Sequence, residues 1–146
     1  MNGRGGVTFD AGGLIALDRD DRRVIALLAR AAELRALVTI PATALAQAIR
    51  NPSKQARLAR LVRQPTTRLA PLDGPDATSV GILLATSRTS DIADAHVVVC
   101  ARRNQQPIVT SDPDDLRRLA PTVRLVVIET SSGLGTHGQL SGDGPR

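Results

Sequence analysis

Two apolar spacings alternate along the chain. Val7-Thr8-Phe9 is a short β-rich run that ends in Asp10, and Gly12-Gly13 break it before a helical pattern begins at residues 14–17. Over residues 20–34, Val24, Leu27, Leu28, Ala31 and Leu34 recur at steps of three and four, as an amphipathic helix requires. A buried strand at 37–40 stops at Pro41. A short helix at 43–49 follows, then a second that ends before Pro65, with Ser53 after Pro52 as its cap. An edge strand is expected at 68–72, helices at 73–87 and 91–103, a strand at 107–110, a helix at 113–119 and a last strand at 124–128. Thr89 and Ser90 are the cap candidates for the helix at 91–103. Strands that read as continuous apolar runs and alternate with helices predict an α/β fold, with a mainly parallel sheet covered on both faces. Residues 131–146 lack periodic apolar positions and are rich in Gly and Ser, which predicts one domain over 1–130 followed by a flexible tail.

A chain of 146 residues has room for one such domain. Aromatic residues are 1% of it, a single Phe9, which removes the stacking platforms on which single strands are read. Any contact with nucleic acid must therefore be electrostatic. Cys100 is the only cysteine, which excludes a disulfide framework and a cysteine-only zinc cluster and fits a reducing, cytoplasmic setting. The longest apolar runs, such as 97–101, fall far short of the roughly 20 residues that cross a bilayer, so no membrane contact is expected.

Charge is unevenly spread. The formal net charge is +5, but residues 35–71 contain no acid and seven bases: Arg35, Arg50, Lys54, Arg57, Arg60, Arg63 and Arg68. The other 12 bases face all 14 acids, several of them gathered around Asp91, Asp94, Asp112, Asp114 and Asp115. A basic flank beside an acidic cluster suits a polyanion held against a cation site. The arginines also suit the solvated side of an amphipathic helix whose buried side is Leu58, Leu61 and Val62, although such surfaces ordinarily mix signs.

In open parallel sheets, ligands bind at the C-terminal ends of the strands. Asp10 ends the first strand and Asp112 follows the strand 107–110, while Asp91 and Asp94 share one face at the start of a helix. If these meet, the carboxylates repel one another unless a cation lies between them, and hard oxygen ligands select Mg2+ or Mn2+. Helix capping is the plainer role for Asp112 before Pro113, and for Asp91 beside Ser90; no capping role is evident for Asp10. Gly12-Gly13 is no phosphate loop, since neither G-x-G-x-x-G nor a Walker lysine is present. His96 reads as a core or rim histidine and Cys100 as a small buried hydrophobe.

Three ordered segments carry a family resemblance: Val7-Thr8-Phe9-Asp10-Ala11-Gly12-Gly13-Leu14-Ile15, Asp91-Ile92-Ala93-Asp94-Ala95-His96-Val97, and Ile108-Val109-Thr110-Ser111-Asp112-Pro113-Asp114-Asp115-Leu116. Together they resemble the PIN domain of VapC-type toxins, the ribonucleases of type II toxin–antitoxin pairs. The resemblance spans roughly 7–128. It implies a three-layer α/β/α sandwich and a metal-dependent endoribonuclease held by an antitoxin. Asp10, Asp94 and Asp112 match the family's acidic positions, and Asp91 is an additional carboxylate one turn earlier. On this reading Asp10, Asp94, Asp112 and Asp91 are catalytic, and Asp10, Asp94 and Asp112 hold Mg2+ or Mn2+. Arg50, Lys54, Arg57, Arg60 and Arg63 bind the RNA backbone. A homodimer in the cytoplasm is the further expectation. One position departs: Gln47 stands where the family usually has a glutamate, and an amide adds no charge. The alternative is thus a non-catalytic or weakly active RNA-binding module held by an antitoxin. A receiver domain would need a strand-end lysine, and a haloacid-dehalogenase-like domain an Asp where this chain has Gly12.

Overall fold

The computed structural model describes residues 5–128. Within them the elements run β1 (Val7–Phe9), α1 (Ala11–Asp18), α2 (Arg22–Leu34), β2 (Val38–Pro41), α3 (Ala42–Ala48), a 3-10 turn (Pro52–Lys54), α4 (Ala56–Val62), β3 (Thr67–Ala70), α5 (Gly74–Ser87), α6 (Ile92–Asn104), β4 (Ile108–Thr110), α7 (Pro113–Leu119) and β5 (Leu125–Val127). The tail expected at 131–146, and with it the domain boundary, lies outside the described residues.

The five strands form one sheet in the order β3-β2-β1-β4-β5, and every pairing is parallel. The fold is α/β, as the alternation predicts, and the sheet is wholly rather than mainly parallel. β1, β2 and β4 are buried along their length because helices cover both faces, whereas β3 exposes Arg68 and Leu69 as an edge strand does. Parallel crossovers are right-handed in nearly all sheets, so α1–α4, which lead from β1 to β3, lie on one face and α5–α7 on the other. Within each layer the packing agrees, since α1 contacts α2, α3 and α4, and α6 contacts α5 and α7, while α3 also meets α6, where Thr43 touches His96. Phe9, Leu14, Ile40, Val97, Val98, Ile108, Val109 and Leu116 fill the two layers between sheet and helices without exposure beyond 1%.

The helix starts refine the expected ones. Helix α2 starts at Arg22, where Asp21 accepts from the backbone N–H groups of Arg23 and Val24 at 2.9 and 3.2 Å. Ser53 caps no helix: it sits in the 3-10 turn, and its hydroxyl donates to Asn51 Oδ1 at 2.9 Å. Gln55 precedes α4 instead, and its amide serves both ways. Its Oε1 accepts from the Arg50 and Asn51 N–H groups, while its Nε2 donates to Asp18 Oδ2 at 2.7 Å and to the Ala48 carbonyl at 2.8 Å. This side chain ties α1, α3 and α4 together. At α6 the cap is Asp91, not Thr89 or Ser90, since a carboxylate reaches the Asp94 N–H at 2.9 Å.

Candidate functional site

The connections from β1 and β4 lead away in opposite directions, and a parallel sheet opens a crevice at such a reversal, beyond the C-terminal strand ends. Asp10 follows β1 and Asp112 lies two residues past β4, one on each side of that crevice. Gly12 and Gly13 allow α1 to start there. A Cβ at Gly13 would lie 2.7 Å from the Val109 carbonyl oxygen, and one at Gly12 would strike Ser111 Oγ. The pair thus belongs to helix α1 rather than to a break before it, because close packing against β4 outweighs glycine's poor helix propensity.

Asp10 is 5% exposed, and its Oδ1 accepts from the Gly13 N–H at 2.8 Å, so it does cap α1. The Thr110 hydroxyl also bonds to Asp10 and accepts from the Asp112 N–H at 2.9 Å, linking the two strand ends. Asp112, the stronger cap candidate from sequence, makes no side-chain capping bond. The capping roles of Asp10 and Asp112 are therefore exchanged relative to expectation. From the α6 side, Asp94 enters the same region, and Asp91, Asp94, Asp115, Arg88 and Arg118 line a cleft of about 330 Å3.

The electrostatics show that these acids share one field. Burial, relieved in part by the Thr110 and Gly13 hydrogen bonds, pushes Asp10 up to about 6, with Asp112 adding repulsion. Asp94 is pushed up to about 7, first by burial and then by the charges of Asp91, Asp10, Asp115 and Asp112. Lost solvation, followed by Asp115 and Asp114, raises Asp112. Asp94 thus lies within electrostatic reach of Asp10, Asp91 and Asp112. Thr110 and Asp115 join them, and neither was singled out as a site residue. The donor set is oxygen only and its charges repel, which fits a hard divalent cation of the Mg2+ or Mn2+ type.

The basic residues behave differently. Arg50, Lys54, Arg57, Arg60 and Arg63 are all exposed, with Leu58 and Leu61 buried behind them. Their charge is not wholly uncompensated, because Arg57 Nε pairs with Asp20 Oδ1 at 2.5 Å from outside the basic stretch. Arg50 Nε donates to the Gln47 carbonyl at 3.2 Å. The Gln47 side chain is exposed and makes no hydrogen bond to the carboxylates among the described residues.

No family model matches the sequence, and no curated protein does. The structure is similar to the crystal structure of FitAcB from Neisseria gonorrhoeae, with a TM-score of 0.58 and 18% identity, over 82% of this chain and 95% of that one. At that identity the likeness establishes the fold.

Proposed function

We propose that the chain is a metal-dependent endoribonuclease and the toxin of a toxin–antitoxin pair. The observation that carries the reading is the convergence of Asp10, Asp94 and Asp112, with Asp91, at the reversal point of a parallel sheet. The likeness to FitAcB supports the fold implied by the resemblance to PIN-domain toxins. Asp10 and Asp94 are the direct ligands for Mg2+ or Mn2+, and Asp112 and Asp91 act directly or through water. A cation bound there supplies a Lewis acid for the scissile phosphate and a water of lowered pKa. The chain's own contribution is placement. The Gly13 N–H and the Thr110 hydroxyl hold the Asp10 carboxylate, and Asp91 holds the first turn of α6 on which Asp94 sits. Exposed Arg50, Lys54, Arg60 and Arg63, with Arg57 after release from Asp20, bind the RNA backbone through phosphates, so binding weakens with salt. An antitoxin partner, a homodimer and a cytoplasmic location complete the proposal.

The test is RNA cleavage by the purified full chain. Cleavage in Mg2+ or Mn2+ that stops when a chelator is added is the expected result. Cleavage that persists undiminished in chelator rejects the metal dependence, and none with either ion rejects the nuclease reading.

A further inference from the structure

Helix α6 presents two chemically different faces. Asp94 points to the carboxylate cluster, while His96, two residues on and therefore roughly 200° around the helix, turns into the protein. One turn further, at i+4, Cys100 lies on the same side as His96. Facing them from the first turn of α5 is Asp76. Their exposures are 0% for His96, 0% for Cys100 and 5% for Asp76, and a nitrogen, a sulfur and a carboxylate oxygen from the three lie within 4.8 Å of one another.

The His96 ring lies among Thr43, Asp76 and the Pro71 backbone. Its Nδ1 is 2.8 Å from Thr43 Oγ1, whereas its buried Nε2 makes no hydrogen bond among the described residues. The nearest carboxylate oxygen, Asp76 Oδ2, is 3.6 Å from it, too far for a hydrogen bond. That separation matches two ligands of one tetrahedral ion, whose bonds of roughly 2.0–2.3 Å set neighbouring donors about 3.5 Å apart. Arg103 binds the other oxygen, Oδ1, and leaves Oδ2 turned towards His96. In the tautomer that donates its Nδ1 proton to Thr43, Nε2 aims a lone pair at a carboxylate and a thiol.

We propose that Asp76, His96 and Cys100 form a second, buried metal site, of the mixed nitrogen, sulfur and oxygen type that takes Zn2+. Thr43 and Arg103 are its orienting partners, as outer hydrogen bonds orient the ligands of zinc sites. The site ties α5 to α6 and so braces the helix that carries Asp91 and Asp94. The buried Cys100 thiol gives up its proton when the ion binds.

Co2+ in place of Zn2+ tests this under reducing conditions, because a tetrahedral cobalt–thiolate site has strong visible bands and a sulfur-to-metal charge-transfer band. Cys100 is the only cysteine in the chain, so such a band can arise nowhere else. The expected result is one equivalent of Co2+ giving that band, displaced by Zn2+, with Zn2+ raising the melting temperature. Cys100→Ala should lose the band and bind Zn2+ at least tenfold more weakly, while Asp94→Asn keeps the band. Wild-type protein that binds Co2+ without the thiolate band, or does not bind it, overturns the proposal without reference to any variant. Equal Zn2+ affinity in folded Cys100→Ala overturns it as well.

Discussion

Asp94→Asn and Asp10→Asn are each expected to abolish RNA cleavage, lowering the rate on the order of a thousand-fold. A charged metal ligand supplies several kcal/mol of transition-state stabilisation, and each 1.36 kcal/mol is tenfold in rate. Simple unfolding would give the same loss, but the expected stability change has the opposite sign. Asp94 is half-way protonated only near pH 7 because burial and four neighbouring acids disfavour its charge. Replacing it with a neutral isostere removes that repulsion, so metal-free Asp94→Asn should melt above the wild type at pH 8. Loss of activity with gain of stability marks a residue kept for its charge. Rates within threefold of wild type in either variant would remove that carboxylate from the mechanism.

The second large effect is on the metal-free wild type, which should melt at a higher temperature at pH 5 than at pH 8. Asp10 and Asp94 have folded-state values of about 6 and about 7, above the ordinary 3.8. A raised value means that the folded state binds the proton more tightly. The stabilisation is complete below about pH 4 and is lost as pH rises through 6 and then 7. For Asp10 alone the whole displacement corresponds to roughly 3 kcal/mol, of which about half falls between pH 5 and pH 8, or roughly 5 °C in melting temperature for a domain of this size. Most acid-sensitive proteins behave the other way, because their carboxylates are paired. Saturating Mg2+ should flatten the slope. Buried His96, held below its ordinary value by lost solvation, opposes part of this slope on the acid side. The reference is therefore the double variant Asp10→Asn/Asp94→Asn: a pH dependence in the wild type no different from that of the double variant would show that the acids are not crowded together.

The strands, the helices and the parallel sheet were legible because apolar runs and 3.6-residue periodicity record burial directly. The helix caps were less so. Gly12-Gly13 reads as a break between strand and helix, and only the contact of α1 with Val109 and Ser111 explains why two glycines open a helix, which in turn makes Asp10 its cap. Asp112 before Pro113 has the local grammar of a cap, yet its backbone N–H is already engaged by Thr110 and its side chain makes no capping bond. Asp10, Asp91, Asp94 and Asp112 were legible as site candidates from their positions at strand and helix ends. Thr110 and Asp115 were not, because what marks them is proximity across the sheet edge. The pairing of Arg57 with Asp20 and the meeting of Asp76 with His96 and Cys100 join segments with no shared local pattern. His96 and Cys100 were rightly read as buried, but the helix spacing that aligns them does not show which side chain faces them from α5.

That the carboxylates form one cation site is tested most directly by Mn2+ binding at pH 8, measured by the paramagnetic signal of the free ion. Cys100→Ala protein keeps the α6 thiol out of the measurement. Saturable binding that Mg2+ competes away, and that falls at least tenfold in both Asp10→Asn and Asp94→Asn, is the predicted result. Binding of equal strength in the two Asn variants, or no saturable binding in their parent, would contradict it.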